Sequence, residues 1–226
     1  KLAEYNDPRL SRAFITKQGA SGKEQAPGTA DNAVYAPNGS PEQGTSKYGT
    51  SLFMYSISAP TLLLSYHELK FLEAEALCRL GRDAKSALKD AVVAGLLNAE
   101  SSFSVSRKEL GKTLINPASS ITDTEAESYF DNTVEAKYTA EPLKTTMTQK
   151  YFALWGASGE ATESYNDVRR MKGLGENFIE LKNPNSFPLR CPYGNSDTTT
   201  NAEVKAAYGN GQYVYSENVW WAGGSR

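Results

Sequence analysis

Between Ser58 and Gly81 the chain reads SAPTLLLSYHELKFLEAEALCRLG, with apolar residues recurring at three- and four-residue steps. Leu62, Tyr66, Leu69, Leu72, Ala76 and Leu80 therefore share one face of a helix, expected to be the buried one. Ser58 is placed to cap the start, and Pro60 is tolerated in a first turn, where its missing N–H would be unpaired anyway. Gly81 supplies a left-handed stop. A second segment follows at once, in which Ala84, Ala87, Leu88, Ala91, Val92 and Ala94 bring small side chains to the contact. So short a link predicts two antiparallel helices lying side by side over residues 58–99. Small residues at the seam let the two axes approach closely.

The pair resembles a tetratricopeptide (TPR) hairpin, although the full repeat pattern is not met and no clean second copy occurs. Before it, residues 1–57 are loop-rich: GASGKEQAPGTADN and APNGSPEQGTSKYGTS are dense in turn formers. Tyr35, Tyr48, Phe53 and Tyr55 argue against full disorder there, because aromatics are depleted in disordered chains. After it, residues 100–120 read as a connection containing Pro117. Thr122 and Glu125 form a capping box, with Ile121 and Ala126 spaced as a hydrophobic staple. The helix they open buries Tyr129, Phe130 and Val134. A further helix runs from about Glu141 to Trp155, with Pro142 in its first turn and Leu143, Met147, Tyr151, Leu154 and Trp155 as its apolar stripe. Another spans about Glu160 to Met171, carrying Tyr165 and Val168. Beyond Gly173 the chain turns irregular, with an extended piece over Phe187–Tyr193. The fold class expected is mainly α: TPR-like hairpins with long ordered loops.

Chemistry is hard to find. His67-Glu68 opens like a zinc-protease helix, but position 71 is Phe and the chain has no other His. A single His also removes the usual Ser–His and Cys–His pairs. Ser86-x-x-Lys89 lacks its companion motifs and reads as solvent-facing charge. Gly173-Leu-Gly175 lacks the last glycine of a dinucleotide fingerprint and follows a helix rather than a strand. Glu68, Glu73 and Glu75 read as a solvated face with one buried carboxylate in a cap or ion pair. The Asp197–Asn201 run lacks the regular spacing of a calcium loop. No metal and no cofactor is expected.

Composition narrows the partners. A net charge of −2 over 226 residues gives no basic face for nucleic acid. No stretch is long and apolar enough to span a membrane as a helix. Cys78 and Cys191 are too few for a disulfide framework, although a bridge between them is open. The chain opens at Lys1, so a leader has been removed or the sequence is a fragment. Tyrosine stands out: 13 Tyr against one His. Its apolar ring with a polar tip suits both cores and sugar- or peptide-binding faces.

Several motifs stand in a telling order. Asp7-Pro8-Arg9-Leu10 comes first. Tyr66, Glu68, Phe71, Leu72, Ala74, Glu75, Ala76, Arg79 and Gly81 follow on the first long helix. Next come Gln149-Lys150-Tyr151-Phe152-Ala153-Leu154-Trp155-Gly156 and Tyr165-Asn166-Asp167-Val168-Arg169-Arg170. Last are Arg190-Cys191-Pro192-Tyr193 with Asn201, and Val219-Trp220-Trp221. In this order the chain resembles the C-terminal half of the SusD/RagB-like outer-membrane lipoproteins. Gly194 stands where that family has Pro, and Asp197 where it has Glu.

The resemblance implies a SusD-like fold, here partial. Residues 1–226 would be the C-terminal portion of one domain: a loop-rich segment 1–57, a hairpin 58–99, and further helices with an irregular end over 100–226. It implies non-enzymatic capture of an oligosaccharide or polysaccharide at the cell surface and delivery to a TonB-dependent transporter. It also implies a lipid anchor on an N-terminal Cys absent from this chain. The N-terminal half of the same protein, carrying more TPR-like helices, is the remaining expected partner. Sugar binding needs exposed aromatics with planar polar groups beside them. Tyr35 and Tyr48, with Asn38 and Lys47, are the candidate ligand-binding residues, and no catalytic residue is expected. A TPR-like protein–protein adaptor is the alternative.

Overall fold

Ser65, not Ser58, starts the first long helix: its side chain accepts the Glu68 N–H at 3.1 Å. The computed structural model describes residues 1–18, 24–27, 49–180, 187–211 and 213–224. The chain divides into two units, one of Lys1–Ala36 with Gly44–Glu180, the other of Pro37–Gln43 with Leu181–Arg226.

The first unit opens with a short helix α1 (Arg9–Ala13) that runs directly into a small antiparallel sheet: β1 (Phe14–Gln18), β2 (Glu24–Pro27) and β3 (Thr50–Ser51). β1 is central, with Ile15 opposite Pro27 on one side and Thr50 on the other. The segment expected to be loop thus begins with regular structure. Ile15 is the reason: it is buried with Ala13 and Leu52 in the main core.

The helical part consists of α2 (Tyr66–Arg79), α3 (Lys85–Leu110), α4 (Asp123–Tyr129), a π-turn (Phe130–Val134), α5 (Glu135–Ala140), α6 (Pro142–Leu154) and α7 (Glu163–Gly173). The hairpin of α2 and α3 is present, and the chain turns between them at Gly81, φ +67°. Tyr138 ties this turn to α5, its hydroxyl accepting the Ala84 N–H at 2.7 Å and donating to Asp83 at 3.0 Å. The helix α3 is longer than expected. Residues 100–110 continue it rather than forming a connection, because Ser102, Phe103 and Ser106 are buried. The Ser106 hydroxyl lies 2.7 Å from the Leu52 carbonyl, to which it donates. Glu100 pairs with Arg107 and accepts the Ile121 N–H at 3.0 Å.

The capping box holds, Thr122 accepting the Glu125 N–H at 3.2 Å, and Ile121 and Ala126 are both buried. Pro142 begins α6. Its whole middle, Thr145 to Lys150, is buried, so this helix is enclosed all round rather than along one stripe. At its crossing with α3, a Cβ on Gly95 would come 3.0 Å from the Ala153 Cβ. Glycine there sets how closely the two axes approach.

The main correction concerns α2. The face read as core is the exposed one: Tyr66, Leu69, Leu72 and Leu80 are 42–70% exposed and Ala76 is exposed too, while Leu62 is half-buried. The buried face is His67, Glu68, Phe71, Ala74 and Glu75. Glu75 goes inward because Arg170 of α7 pairs with it there, a partner that local periodicity does not register.

In the second unit, α8 (Asn195–Thr200) and α9 (Ala202–Tyr208) follow an irregular stretch. Phe187–Tyr193 forms no strand. Backbone bonds from Leu189 N–H to Val214 O at 2.7 Å and from Tyr193 N–H to Gly211 O at 3.2 Å help to hold it. Tyr193 stacks on Tyr208 with centroids 4.4 Å apart, and the Arg190 guanidinium sits 4.7 Å over the Tyr193 ring. Asp197 lies within α8 rather than in an open loop. The departures at 194 and 197 are neighbours: a Cβ on Gly194 would come 2.9 Å from Asp197 Oδ2, so the acid fills space that a larger residue would need. Cys78 and Cys191 are free thiols. Among the described residues no helix is long and apolar enough to cross a membrane.

Candidate ligand-binding and docking surfaces

Tyr35, Asn38, Lys47 and Tyr48 lie outside the described residues. What the structure brings together instead are many of the motif residues, in one buried polar cluster and a second that runs from buried Lys150 to exposed Arg79 and Arg170.

The first is built on α1. Asp7 precedes that helix and takes the Arg9 backbone N–H, Nε and Nη2 at 2.9, 2.9 and 2.5 Å. Both side chains are fully enclosed. The Tyr129 hydroxyl donates to Asp7 Oδ2 at 3.2 Å and accepts from Gln149 Nε2 at 3.1 Å. Burial, then the Asp7 charge, pushes the Tyr129 hydroxyl well above its usual pKa, so it stays a donor.

The second runs from α6 across α7 to α2. Lys150, buried on α6, pairs with Asp167 of α7 at 2.8 Å. Asp167 also holds Arg170 at 2.8 Å. Arg170 and Arg79 converge on Glu75, at 2.8 and 2.7 Å, and Arg79 forks onto Glu176 at 2.8 and 2.9 Å. Burial alone would raise the Glu75 carboxyl. The hydrogen bonds and charges of Arg170 and Arg79 outweigh it and hold the group below the usual carboxylate range. Of the three glutamates read as a mostly solvated face, Glu73 is exposed and pairs with Lys70, Glu75 is the buried ion-paired one, and Glu68 is buried as well. Every charge in these clusters is matched by a neighbour, which is what a frame requires. A catalytic acid or base would need a free, poised group.

Among the described residues, two sizeable cavities open on the first unit. One, of about 420 Å³, is mostly apolar and is bounded by Leu10, Phe14, Tyr151, Trp155 and Lys1. Trp155 is half-buried and stacked on Phe14, centroids 5.0 Å apart, with Phe53 edge-on at 5.0 Å. Its ring is thus already engaged with protein. The other, of about 450 Å³, has a more polar lining that includes Ser56, Thr61, Asn98, Ser101 and Ser158. Sequence reasoning missed this cavity, because its walls come from segments far apart in the chain. The third feature is the exposed stripe on α2, extended at its start by Leu63 and Leu64, 91% and 66% exposed. A contiguous apolar patch rimmed by charge marks a contact surface.

A family model for SusD-like proteins, described as starch-binding and associating with the outer membrane, matches residues 1–193. The chain belongs to the SusD-like family. A solved SusD/RagB family protein from Bacteroides thetaiotaomicron is 66% identical over 100% of this chain, with a TM-score of 0.87, and 48% of that protein is covered. An outer-membrane protein structure from Bacteroides vulgatus, 21% identical, shares the fold at a TM-score of 0.63, over 97% of this chain and 49% of that one. No curated protein matches. The chain therefore spans about half the length of the solved relatives it matches. For a SusD-like chain, the two polar clusters account for the motifs in structural terms: D-P-R, E-A-E-A-x-x-R, Q-K-Y and D-x-R-R interlock rather than surround a ligand.

Proposed function

We propose that this chain is the C-terminal portion of a SusD-like domain that captures glycans and performs no chemistry on them. The match to the family over residues 1–193, with 66% identity to a SusD/RagB protein, carries this reading. The whole protein would work on the outer face of the outer membrane, lipid-anchored through a Cys upstream of this segment. It would pass oligosaccharide to a TonB-dependent transporter. The pairing of Asp7 with Arg9, of Lys150 with Asp167 and of Glu75 with Arg79 and Arg170 favours a structural role for these motif charges over catalysis.

The α2 stripe has an occupant in this reading: the part of a SusD-like chain that this sequence does not span. Helical pairs that stack in TPR fashion bury such faces against the next pair. The same stripe is what favours the second reading, a protein–protein adaptor that holds a helix of another protein in its place.

Ligand contacts are assigned to Tyr35 and Tyr48, with Asn38 and Lys47 beside them. Isothermal calorimetry of the intact protein against a panel of oligosaccharides tests the assignment. Binding is expected for at least one glycan, and Tyr48→Ala or Tyr35→Ala should weaken it about tenfold or more, the cost of losing one stacked ring. Unchanged affinity in both variants would remove the assigned site. Release of reducing sugar would overturn the non-enzymatic reading, and no binding to any glycan would favour the adaptor.

A further inference from the structure

A buried acid pair stands at the start of α2, apart from both polar clusters. Glu160 is 2% exposed. One of its oxygens accepts the Ser65 N–H. The other, Oε2, is buried and has no hydrogen-bond partner. His67 Nε2 is 3.7 Å away, too far to donate, and is engaged with the Ser65 hydroxyl at 3.2 Å. Glu68, 6% exposed, brings its carboxyl within hydrogen-bond reach of Glu160.

Two ionised carboxylates in contact away from water repel each other, and an orphaned buried oxygen adds its own cost. A single proton relieves both: a protonated Glu68 is an O–H donor, and Glu160 Oε2 is the waiting acceptor. We propose that Glu68 and Glu160 share one proton in the folded protein, and that this proton latches the segment following α6 onto the start of α2.

The surroundings agree. Burial, then the Glu160 charge, raises the Glu68 carboxyl above the usual range; Lys150 opposes this, and Glu163 adds to it. Lys150 is itself committed to Asp167. Burial pushes the His67 imidazole down and Arg9 pushes it further, against the pull of Glu160, so His67 is the neutral neighbour.

The latched segments are packed too tightly to part by small steps. Leu62 N–H meets Ser158 O at 2.6 Å. Gly159, at φ +90°, sits where a Cβ would be 2.1 Å from the Leu62 carbonyl oxygen. These same segments, with Asn98 and Ser101 of α3, wall the 450 Å³ cavity. Loss of the proton therefore loosens the rim of that cavity, whatever the cavity holds.

The sign follows from linkage. The folded state keeps a proton that an unfolded glutamate releases near pH 4.3. The latch contribution is complete below that value and is lost as pH rises through the folded midpoint. Carbon-13 titration of the glutamate carboxyls in the intact protein tests this. One carboxyl should titrate above the ordinary range, and that signal should vanish in Glu68→Gln. Exchange protection of the Leu62 amide should fall in the wild type above the midpoint but persist in Glu68→Gln, whose amide donates permanently. Glu160→Gln should lower the Glu68 midpoint, because the Glu160 charge is gone while burial remains. If every glutamate of the wild type titrates in the ordinary range, the shared proton does not exist. If Leu62 protection follows pH identically in wild type and Glu68→Gln, the latch does not exist. Either result leaves glycan capture untouched.

Discussion

Replacing Arg9 by alanine is expected to destabilise the protein by about 3–5 kcal/mol. The loss is large because of what remains behind. Asp7 is fully enclosed and takes three hydrogen bonds from Arg9, one from the backbone and two from the guanidinium. With the guanidinium gone, a buried carboxylate keeps only the Arg9 backbone N–H and the Tyr129 hydroxyl. The hydroxyl is shared with Gln149, so the disturbance should spread into α6. Lysine should not rescue, because a point charge cannot reproduce the two-pronged contact. Urea unfolding midpoints measure the effect. A loss under about 1 kcal/mol would mean that the pair is solvated, as exposed ion pairs are.

Phe71→Ala and Leu69→Ala form the second test. They sit two residues apart on α2 but on opposite faces, with Phe71 at 0% exposure and Leu69 at 51%. Removing the Phe71 ring should cost about 3–5 kcal/mol, as expected for an aromatic lost from a packed core. Leu69→Ala in this chain should change stability by no more than about 0.5 kcal/mol. A reversed ranking would restore the leucine stripe as the core face. In the longer SusD-like protein the expectation for Leu69 changes. If the rest of the fold covers the stripe, Leu69→Ala there should cost about 2 kcal/mol or more.

Much of the helical frame was legible because its signals are local. Thr122 with Glu125, Pro142 and Gly81 each act within one turn of their own position, and each marks a real boundary. What escaped was set at long range. Glu75 is buried because Arg170 lies 95 positions on, and Glu68 is buried facing Glu160 of a distant segment. The leucine period of α2 was genuine, but it reported a face left exposed among the described residues. Ser102 and Ser106 read as loop, yet they sit inside α3 where a carbonyl of Leu52 meets the Ser106 hydroxyl. The sheet was hidden because β1 and β2 flank and enter a segment dense in turn formers. The ligand residues proposed from that segment lie outside the described residues, and their assignment rests on the aromatics and polar neighbours of a loop-rich segment.

If the motifs form a frame, they hold one another in place, and one double-mutant cycle tests that directly. Lys150 and Asp167 come from two different motifs and pair at 2.8 Å, with side chains 3% and 13% exposed. Stability is measured for Lys150→Met, Asp167→Asn and the double variant. The predicted result is strong non-additivity: the double change costs less than the sum of the singles, with a coupling of about 0.5–3 kcal/mol. Effects that simply add would contradict it, because the two motifs would then not be holding each other in place.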